Sequence, residues 1–251
     1  MKYIILLGDG MADYPIDDLK DKTPLEYART TNMDWIAANG TVGLIDTIPE
    51  GLTPGSDVAN LSVLGYDPVK YHTGRGPLEA ASMGVILESS DVAFRCNLVT
   101  LSIDKPTIIN DFTSGHITSK EARVIIEDMN RKLGSSRVRF YPGVGYRHLM
   151  VVKGGSALLS TTPPHDIVGK EIEYYLPKGD GSDTVIDLMN RSREILKNHP
   201  VNRKRISDGK NPANSLWLWG QGRAPEMNTL SDRFGLKGGV ISAVDLLKGI
   251  G

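Results

Sequence analysis

The chain has 251 residues, of which 40% are hydrophobic and 24% are charged. This size and composition are typical of a globular protein with one large core or two smaller ones, and they exclude a disordered chain. The 29 basic and 30 acidic residues nearly cancel, so nothing indicates a nucleic-acid partner, and any anion site needs a local group of cations.

The cysteine content and the short apolar start of the chain indicate its cellular location. Cys96 is the single cysteine, which excludes an internal disulfide and a cysteine-based zinc site. Its apolar strand pattern predicts that Cys96 is plain core. The apolar run Tyr3 to Leu7 leads directly into Gly8-Asp9 and is too short for a signal-peptide core or a membrane span. We therefore expect a cytoplasmic protein with no membrane partner.

The first ninety residues predict an α/β arrangement. The run Tyr3 to Leu7 predicts a strand that ends near Asp9, and Thr41 to Ile45 predicts a second strand. Between them, Thr23-Pro24 is typical of a helix start, and apolar residues at helical spacing continue to Asn39-Gly40. Because ligands of open α/β folds lie beyond the carboxyl ends of strands, we expect Asp9 to face a site.

Ser56 follows a turn-rich loop, Pro49 to Gly55, and begins a short helix that is predicted to reach Leu64. Two interpretations stay open at this position. Serine is a preferred N-cap residue, but a helix N-terminus also binds phosphate readily, and a serine there could act as a nucleophile. With Asp9 about fifty residues earlier, Ser56 suggests metal-assisted phosphoryl chemistry.

A region with different patterning runs from about residue 95 to residue 205. Strand patterns cover Arg95 to Leu101 and Val138 to Val152, with a turn predicted at Pro142-Gly143. Amphipathic helix patterns cover Ser119 to Leu133 and Ser182 to Lys197. These alternating patterns predict a second, smaller α/β layer.

The last fifty residues return to the patterning of the first region. The segment Arg203 to Pro212 predicts a polar, turn-rich connector. Ser215 to Trp219 predicts a buried strand, in which Trp217 and Trp219 belong to the core rather than to a binding stack. Strand and helix patterns then cover Gly239 to Leu247.

Because the first and last regions share a pattern, we predict an inserted domain rather than two domains in tandem. The main domain takes residues 1–95 and 206–251, and the inserted, substrate-binding domain takes residues 96–205.

Six motifs lie in order along nearly the whole chain. They are Gly8-Asp9-Gly10-Met11-Ala12-Asp13, Thr53-Pro54-Gly55-Ser56-Asp57-Val58-Ala59-Asn60, Gly65-Tyr66-Asp67-Pro68, His72-Thr73-Gly74-Arg75-Gly76-Pro77-Leu78, Thr162-Pro163-Pro164-His165-Asp166 and Trp219-Gly220-Gln221-Gly222. Together they resemble the archaeal-type cofactor-independent phosphoglycerate mutases of the alkaline phosphatase superfamily. The resemblance implies a mixed sheet flanked by helices, in an α/β fold like that of alkaline phosphatase with an inserted α/β domain.

The same resemblance implies an activity. It is the interconversion of 2-phosphoglycerate and 3-phosphoglycerate, in glycolysis and gluconeogenesis. Some bacterial relatives with these motifs have been proposed as homoserine kinases. A kinase, or another metal-dependent phosphotransferase or phosphatase of the superfamily, therefore stays open as an alternative.

The resemblance also implies a two-metal site with a phosphoserine intermediate. Asp9 matches the first aspartate ligand of the family, and Ser56 matches the serine that both touches a metal and becomes phosphorylated. A divalent cation would stabilise the serine alkoxide and so activate a poor nucleophile. The implied cofactors are two divalent ions, manganese first, with zinc, magnesium or cobalt as alternatives because oxygen and imidazole ligands suit several metals.

A phosphorylated three-carbon acid carries about three negative charges, so the substrate site needs several cations. Arginine binds phosphate or carboxylate bidentately, and histidine can bind or protonate glycerate oxygens. The candidate substrate-binding residues are Arg75, Arg95, His116, Arg147, His165 and Lys237. Each cation could instead be a solvated surface charge, and each histidine could instead bond its own loop.

The sequence departs from the family pattern after Leu247. Family members supply further metal ligands from a later segment, as an Asp with a His four residues on, an Asp-His pair and another His. The sequence to Gly251 has no such segment. We therefore expect these 251 residues to be a truncated and inactive chain, because water would fill an incomplete ligand shell without fixing its geometry. A binding module without enzyme activity is the corresponding alternative.

Overall fold

The computed structural model describes residues 2–102, 104–242 and 245–250. The fold is mixed α/β with an antiparallel sheet. The chain divides into two compact units, residues 1–46 and 47–251. The predicted domain boundaries near residues 95 and 205 stay predictions.

The first unit consists of short helices and extended segments. A 3₁₀ turn at Asp17–Leu19 is followed by α1 (Pro24–Tyr27) and α2 (Thr31–Asn39). The helix start at Thr23 is confirmed by a capping box, in which the Glu26 N–H donates to the Thr23 hydroxyl while the Thr23 N–H donates to the Glu26 carboxylate.

The prediction of one continuous helix up to Asn39 is wrong. Ala28 takes an extended conformation with φ −68° and ψ 151°, and the chain begins a new helix after Thr30. Threonine competes with the helix backbone for hydrogen bonds and therefore favours helix ends. Here the Thr30 hydroxyl donates to the Asp34 carboxylate at 2.8 Å, so the Thr30-Thr31 pair begins α2 instead of continuing α1.

The two strands predicted in the first unit are not formed. Residues 3–7 and 41–45 belong to no strand, and their apolar side chains are exposed, with Ile4 at 90% and Leu6 at 92%. A strand requires a neighbour that pairs its backbone groups. Within the described part of this unit the one β-bridge joins Ile16 and Lys22, so the apolar pattern has no pairing partner there.

The second unit is built on a five-stranded sheet in which all pairs are antiparallel. The strands of this unit are β1 (Val92–Leu101), β2 (Ile109–Asp111), β3 (Val138–Val144), β4 (Arg147–Val152), β5 (Leu159–Ser160), β6 (Lys178–Gly179) and β7 (Ser215–Gly222). The central strand β1 pairs with β4 along one edge and with β7 along the other, while β5 and β6 form a separate two-stranded sheet.

The helices of this unit are α3 (Ser56–Val63), α4 (Pro68–Tyr71), α5 (Arg75–Ser82), α6 (Ser119–Leu133), α7 (Ser182–Lys197), α8 (Pro200–Ser207), α9 (Leu230–Phe234) and α10 (Asp245–Ile250). Of these, α5, α6 and α7 pack against the sheet. The predicted helices α6 and α7 and the predicted strands β1 and β7 are confirmed. Among the described residues, no helix is both long and apolar enough to cross a membrane.

The main core includes alternate side chains of β1 and the apolar faces of α6 and α7. Phe94, Cys96 and Leu98 of β1 are fully or almost fully buried there, which confirms Cys96 as core. Burial raises the pKa of its thiol. A smaller cluster joins Ala80 of α5 to Ala93 of β1 and to Leu149 and Val151 of β4, so α5 and its arginine lie directly on the sheet.

The turn predicted at Pro142-Gly143 is wrong. Both residues lie within β3, whose register with β4 shifts between Tyr141 and Val144, and the chain reverses at Gly145-Tyr146 instead. The Gly143 N–H donates to His148 Nδ1 at 3.0 Å, so a β4 side chain supplies a partner for the irregular backbone. A bulge of this kind bends an edge strand without ending it.

The connector predicted from Arg203 to Pro212 is partly wrong, because its first five residues belong to α8. Pro200 stands in the first turn of this helix, where its missing N–H is not needed, and the His199 side chain accepts a hydrogen bond from the Val201 N–H. Of the pattern predicted from Gly239 to Leu247, residues 243–244 lie outside the described residues. Residues 239–242 form neither helix nor strand, and α10 begins at Asp245.

Candidate functional site

Ser56 is the first residue of α3, and Gly55 is the N-cap. The interpretation of Ser56 as the cap is therefore wrong, because no side chain caps this helix end. A Cβ at Gly55 would lie against the Asp57 carboxylate, which would have to shift. The hydroxyl of Ser56 thus lies, half-buried, on the first turn of a helix, where the backbone favours negative charge.

Asp57, the residue after Ser56, forms a pair with His72. The His72 Nε2 and Asp57 Oδ2 atoms are 2.7 Å apart, and Asp57 is buried. Burial raises the pKa of Asp57, but the His72 hydrogen bond and the charge of Arg75 outweigh it and hold this pKa below its ordinary value. Asp57 is therefore an ionised carboxylate at neutral pH, and the charge of Arg75 acts on it.

Arg75 begins α5 at a point where the chain lies directly against β7. Gly74 has φ +137°, and a Cβ there would collide with the Gln221 carbonyl group; a Cβ at Gly222 would collide with the Thr73 carbonyl group. These glycines allow two backbones to touch, so they place the Arg75 side chain over the end of β7.

Trp219 of β7 lies beneath two arginines. The guanidinium carbons of Arg75 and Arg95 lie 5.4 and 5.2 Å from the centre of its rings, within the range of a cation–π contact. Arg95 is the register partner of Trp219 on β1. Gly220 follows with φ +60°, and a Cβ there would lie 3.3 Å from the Arg75 Cβ, so glycine leaves room for the arginine.

Arg95 is buried together with a carboxylate, since its Nη1 forms an ion pair with Glu79 of α5. Burial lowers the pKa of Arg95, Glu79 opposes that effect, and Arg75 and Arg147 add to it; arginine nevertheless keeps its charge in proteins. The Nε atoms of Arg75 and Arg95 are buried and have no hydrogen-bond partner in the described part of the chain. Two cationic donors are therefore still available to an anion.

His165 joins the same group from a 3₁₀ turn at Pro164–Ile167. Its ring meets Trp219 edge-on with the ring centres 5.5 Å apart. Burial lowers the pKa of His165, Asp166 partly opposes this, and the charges of Arg75 and Arg95 lower it further. The ring is therefore neutral at pH 7 and can accept a proton.

Aromatic contacts extend the group towards β4. Phe112 lies with its ring centre 6.0 Å from that of His165 and 5.8 Å from that of Tyr146, and Arg147 lies over Tyr146 at 5.9 Å. Arg147 also lines a cleft of about 280 Å³ with other polar residues, namely Glu79, Arg123 and His148. The structure thus connects all three predicted arginines and one of the two predicted histidines.

His116 lies in the loop that follows β2, four residues after Phe112. The loop is held by the Asp111 carboxylate, which accepts hydrogen bonds from Thr113 and from the Gly115 N–H. Arg205, buried in α8, donates to the Ser114 carbonyl oxygen. His116 itself is exposed, with φ +48°, so a fixed loop presents its ring to solvent.

Two predicted residues lie outside this group. Lys237 is exposed between α9 and α10 and takes no part in the contacts that join the arginines to Trp219. Asp9 is exposed in the first unit, whereas Ser56 belongs to the second. Among the described residues no three His, Cys, Asp or Glu side chains are grouped closely enough to hold a metal ion, so the described residues do not make a complete metal site.

Several residues of the site were not found from the sequence. The sequence pattern predicts that Trp219 is core alone, and it predicts no role for Glu79, Phe112 and Tyr146. Trp219 is indeed in a buried strand, but its second role depends on the pairing of β7 with β1, which brings it opposite Arg95. Glu79 had a usable signal, because a carboxylate within the otherwise apolar run Pro77 to Ala81 indicates a buried partner.

Comparisons with known proteins agree on one family. The family model for 2,3-bisphosphoglycerate-independent phosphoglycerate mutase matches residues 37–202. A probable 2,3-bisphosphoglycerate-independent phosphoglycerate mutase of Geobacter sulfurreducens is 56% identical, and an enzyme of the same name from Methanosarcina barkeri is 57% identical, each over 252 aligned residues and the whole of this chain. The chain spans 63% of the length of both relatives.

Two solved structures are also similar. A protein from Pyrococcus horikoshii has a TM-score of 0.72 at 29% identity, with 96% of this chain and 57% of that chain covered. A cofactor-independent phosphoglycerate mutase from Thermoplasma acidophilum has a TM-score of 0.54 at 28% identity, with 96% and 64% covered.

Proposed function

The chain belongs to the family of 2,3-bisphosphoglycerate-independent phosphoglycerate mutases, and we propose that it takes part in the interconversion of 2-phosphoglycerate and 3-phosphoglycerate in glycolysis and gluconeogenesis. In this reaction Ser56 carries the phosphoryl group. The 63% span of the two relatives makes the activity of the whole protein part of the proposal.

The arginine pair over Trp219 is the observation that carries the proposal. Arg75 and Arg95 each have a buried Nε without a partner, and the single carboxylate paired with them, Glu79, leaves one positive charge in excess. The substrate brings about three negative charges, which Arg147 and the helix end at Ser56 would help to balance. Because the charge of Arg75 acts on Asp57, the cations and the nucleophile belong to one electrostatic environment.

The proposed chemistry is a transfer and a return. The Ser56 hydroxyl gives up its proton and its oxygen forms a bond to phosphorus while the bond from phosphorus to the glycerate oxygen breaks, and that glycerate oxygen gains a proton. The glycerate then turns, and its other hydroxyl loses its proton and forms a bond to phosphorus while the bond from phosphorus to the Ser56 oxygen breaks, and the Ser56 oxygen regains a proton. His165, which is neutral at pH 7, suits the role of proton carrier, and the arginines hold the carboxylate and phosphate oxygens during the turn. His116 and Lys237 are further proposed contacts of the substrate.

Two divalent metal ions, manganese first, are part of the proposal. When bound, such ions lower the pKa of a coordinated hydroxyl and stabilise the transferred charge. Asp9 and Ser56 are the proposed ligands in this chain. They make up part of a ligand set, since the described residues hold no group of three or more suitable side chains, and no step above is assigned to a metal.

The finer description of the fold is also a proposal. We propose an alkaline-phosphatase-like main domain, residues 1–95 and 206–251, with an inserted substrate-binding domain at 96–205. The mixed α/β character of the chain and its similarity to the Thermoplasma structure support the fold class in this proposal. The proposal also includes a cytoplasmic location, a small-molecule substrate and no nucleic-acid partner. The balanced charge of the chain supports the last point.

The test is an assay of 2-phosphoglycerate formation from 3-phosphoglycerate without nucleotide or 2,3-bisphosphoglycerate, with manganese present, for the protein at the natural length of its gene. We expect turnover, and we expect Ser56→Ala to lower it by at least about a thousandfold because the carrier oxygen is lost. Ser62→Ala, which removes a hydroxyl of the same helix that donates to the Thr47 carbonyl oxygen, is the matched control and should keep most of the activity.

Other outcomes would replace the proposal. Phosphate transfer that requires ATP would indicate a kinase, and release of inorganic phosphate would indicate a phosphatase. Binding of phosphoglycerate without turnover by the natural-length protein would indicate a binding module.

A further inference from the structure

Trp219 is in contact with more charged and polar side chains than a core tryptophan requires. Its rings meet the guanidinium groups of Arg75 and Arg95 and the edge of the His165 ring. Its indole Nε1–H donates to the Asn97 side-chain oxygen at 3.2 Å, and Asn97 is buried. The indole is therefore fixed at its polar end, while its faces and edge are used by three side chains that are candidates for substrate contact.

Holding two arginines near each other requires compensation. Like charges repel, and the repulsion is strongest where water is excluded, as it is at the buried Nε atoms of Arg75 and Arg95. Glu79 offsets the charge of Arg95. Arg75 has no ion pair in the described structure, so its compensation comes from the negative face of the indole and, at longer range, from Asp57.

From these contacts we propose that Trp219 is a positioning residue, which holds Arg75 and Arg95 in a fixed arrangement so that their free Nε–H groups are ready to bind one anion. The inference rests on the proposed function for the identity of that anion, a phosphoglycerate. Preorganisation of this kind raises affinity because the side chains need not be ordered at the moment of binding.

Trp217 provides an internal comparison. It lies two residues earlier on β7 and therefore on the same face of the sheet. It is buried to a similar degree and donates its Nε1–H to the Thr162 carbonyl oxygen at 2.8 Å. The described structure has no guanidinium over Trp217. Substitution of either tryptophan removes similar apolar area and one hydrogen bond, so the two variants differ mainly in their effect on the arginines.

The first experiment needs no ligand. NMR spectra of the arginine Nε–H groups, recorded on the whole protein with ¹⁵N-labelled arginine, should show two slowly exchanging signals shifted by the indole ring current, assigned with Arg75→Lys and Arg95→Lys. Trp219→Leu should shift both signals and speed their exchange at least about tenfold, and Trp219→Phe should have a smaller effect because a phenyl ring keeps part of the cation–π contact. Trp217→Leu should leave both signals in place.

The second experiment measures binding of 3-phosphoglycerate, and of inorganic phosphate as a simpler anion, by calorimetry. We expect Trp219→Leu to weaken binding of both about tenfold, and Trp217→Leu to change it less than twofold at a similar loss of thermal stability. Equal losses of affinity in the two variants, or arginine signals that do not respond to Trp219→Leu, would overturn the inference and leave the proposed function intact.

Failure of the proposed function can be distinguished from failure of the inference about Trp219. If the wild-type protein binds phosphate but not phosphoglycerate, the proposed function fails while the arginine signals and the phosphate affinities still decide the role of Trp219. If Trp219→Phe does not fold, Trp219→Tyr and the matched Trp217→Tyr replace the pair of phenylalanine variants.

Discussion

Two capping boxes of the same design begin helices of very different length. Thr23 and Glu26 exchange hydrogen bonds at the start of α1, which has four residues, and Thr118 and Glu121 do the same at the start of α6, which has fifteen. The difference lies in burial. Helix α1 buries none of its residues, whereas α6 buries an apolar face that includes Ile126. A cap therefore locates a helix start, and packing determines how far the helix continues.

Strands show the same contrast between the two units. The run from Tyr3 to Leu7 is as apolar as β1, yet it forms no strand and is exposed, while every residue of β1 is buried. Strand β1 has partners along both edges. Apolar sequence forms a strand where a neighbouring strand is available to pair with it, and the described residues 2–46 offer none.

The largest predicted effect comes from equal truncations in the two units. Ile126→Ala should lower the free energy of unfolding by about 2–5 kcal/mol, because it opens a cavity beneath α6. Ile4→Ala should change it by less than about 0.5 kcal/mol, because Ile4 is 90% exposed. Urea unfolding followed by circular dichroism measures both.

A large loss of stability for Ile4→Ala would contradict the comparison, because it would mean that this side chain is buried in solution. Ile126→Val is the control for chemistry at the core position, and its loss should be about 0.5–1.5 kcal/mol.

The second prediction concerns pH, since all five histidines belong to the second unit. Burial, with the charges of Arg95 and Arg123, lowers the pKa of His148 from 6.5 to about 3. The unfolded chain then binds a proton below pH 6.5 that the folded chain does not bind, so stability falls as the pH falls from 6.5 towards 3. The slope from this residue is at most about 1.4 kcal/mol per pH unit.

His148→Asn tests this, because asparagine can still accept from the Gly143 N–H but does not titrate. Its urea midpoint should fall less steeply than that of the wild type between pH 6.5 and 4.5. His116→Asn, at an exposed side chain, is the matched histidine control. Parallel curves for His148→Asn and wild type would show that His148 does not titrate in this way.

The fold of the second unit was predicted well where its signals are local. The predicted bounds of α6 and α7 are those of the structure because their apolar spacing and their packing against the sheet agree. Pro142-Gly143 predicts a turn but forms a bulge, since proline and glycine favour both and the outcome depends on the neighbouring strand β4. The strands predicted at residues 3–7 and 41–45 are not formed because they have no pairing partner. A local sequence pattern cannot show whether such a partner exists.

The site was predicted in part for a related reason. Family motifs and charge pointed to Arg75, Arg95, Arg147 and His165, and contacts through aromatic rings connect these residues in the structure. The sequence could not show which aromatic side chains connect them. The role of Trp219 depends on the strand register that pairs Arg95 with Trp219. These residues are more than a hundred positions apart, so no periodic pattern in the sequence indicates that they are neighbours.

The smallest predicted effect returns to the two caps. Thr118→Ala should destabilise the protein by about 1 kcal/mol, because the free Glu121 N–H lies at the start of a helix that belongs to the core. Thr23→Ala removes the same hydrogen bonds from α1, yet it should change global stability by only a few tenths of a kcal/mol, because α1 buries nothing that unfolding would expose.

Threonine is the residue to change, since Glu121 also accepts from Arg205 at 3.0 Å and its loss would disturb the loop before His116. Thr118→Ser, which keeps the hydroxyl, should restore most of the loss, and equal effects of Thr118→Ala and Thr23→Ala in urea unfolding would mean that packing does not separate the two helices.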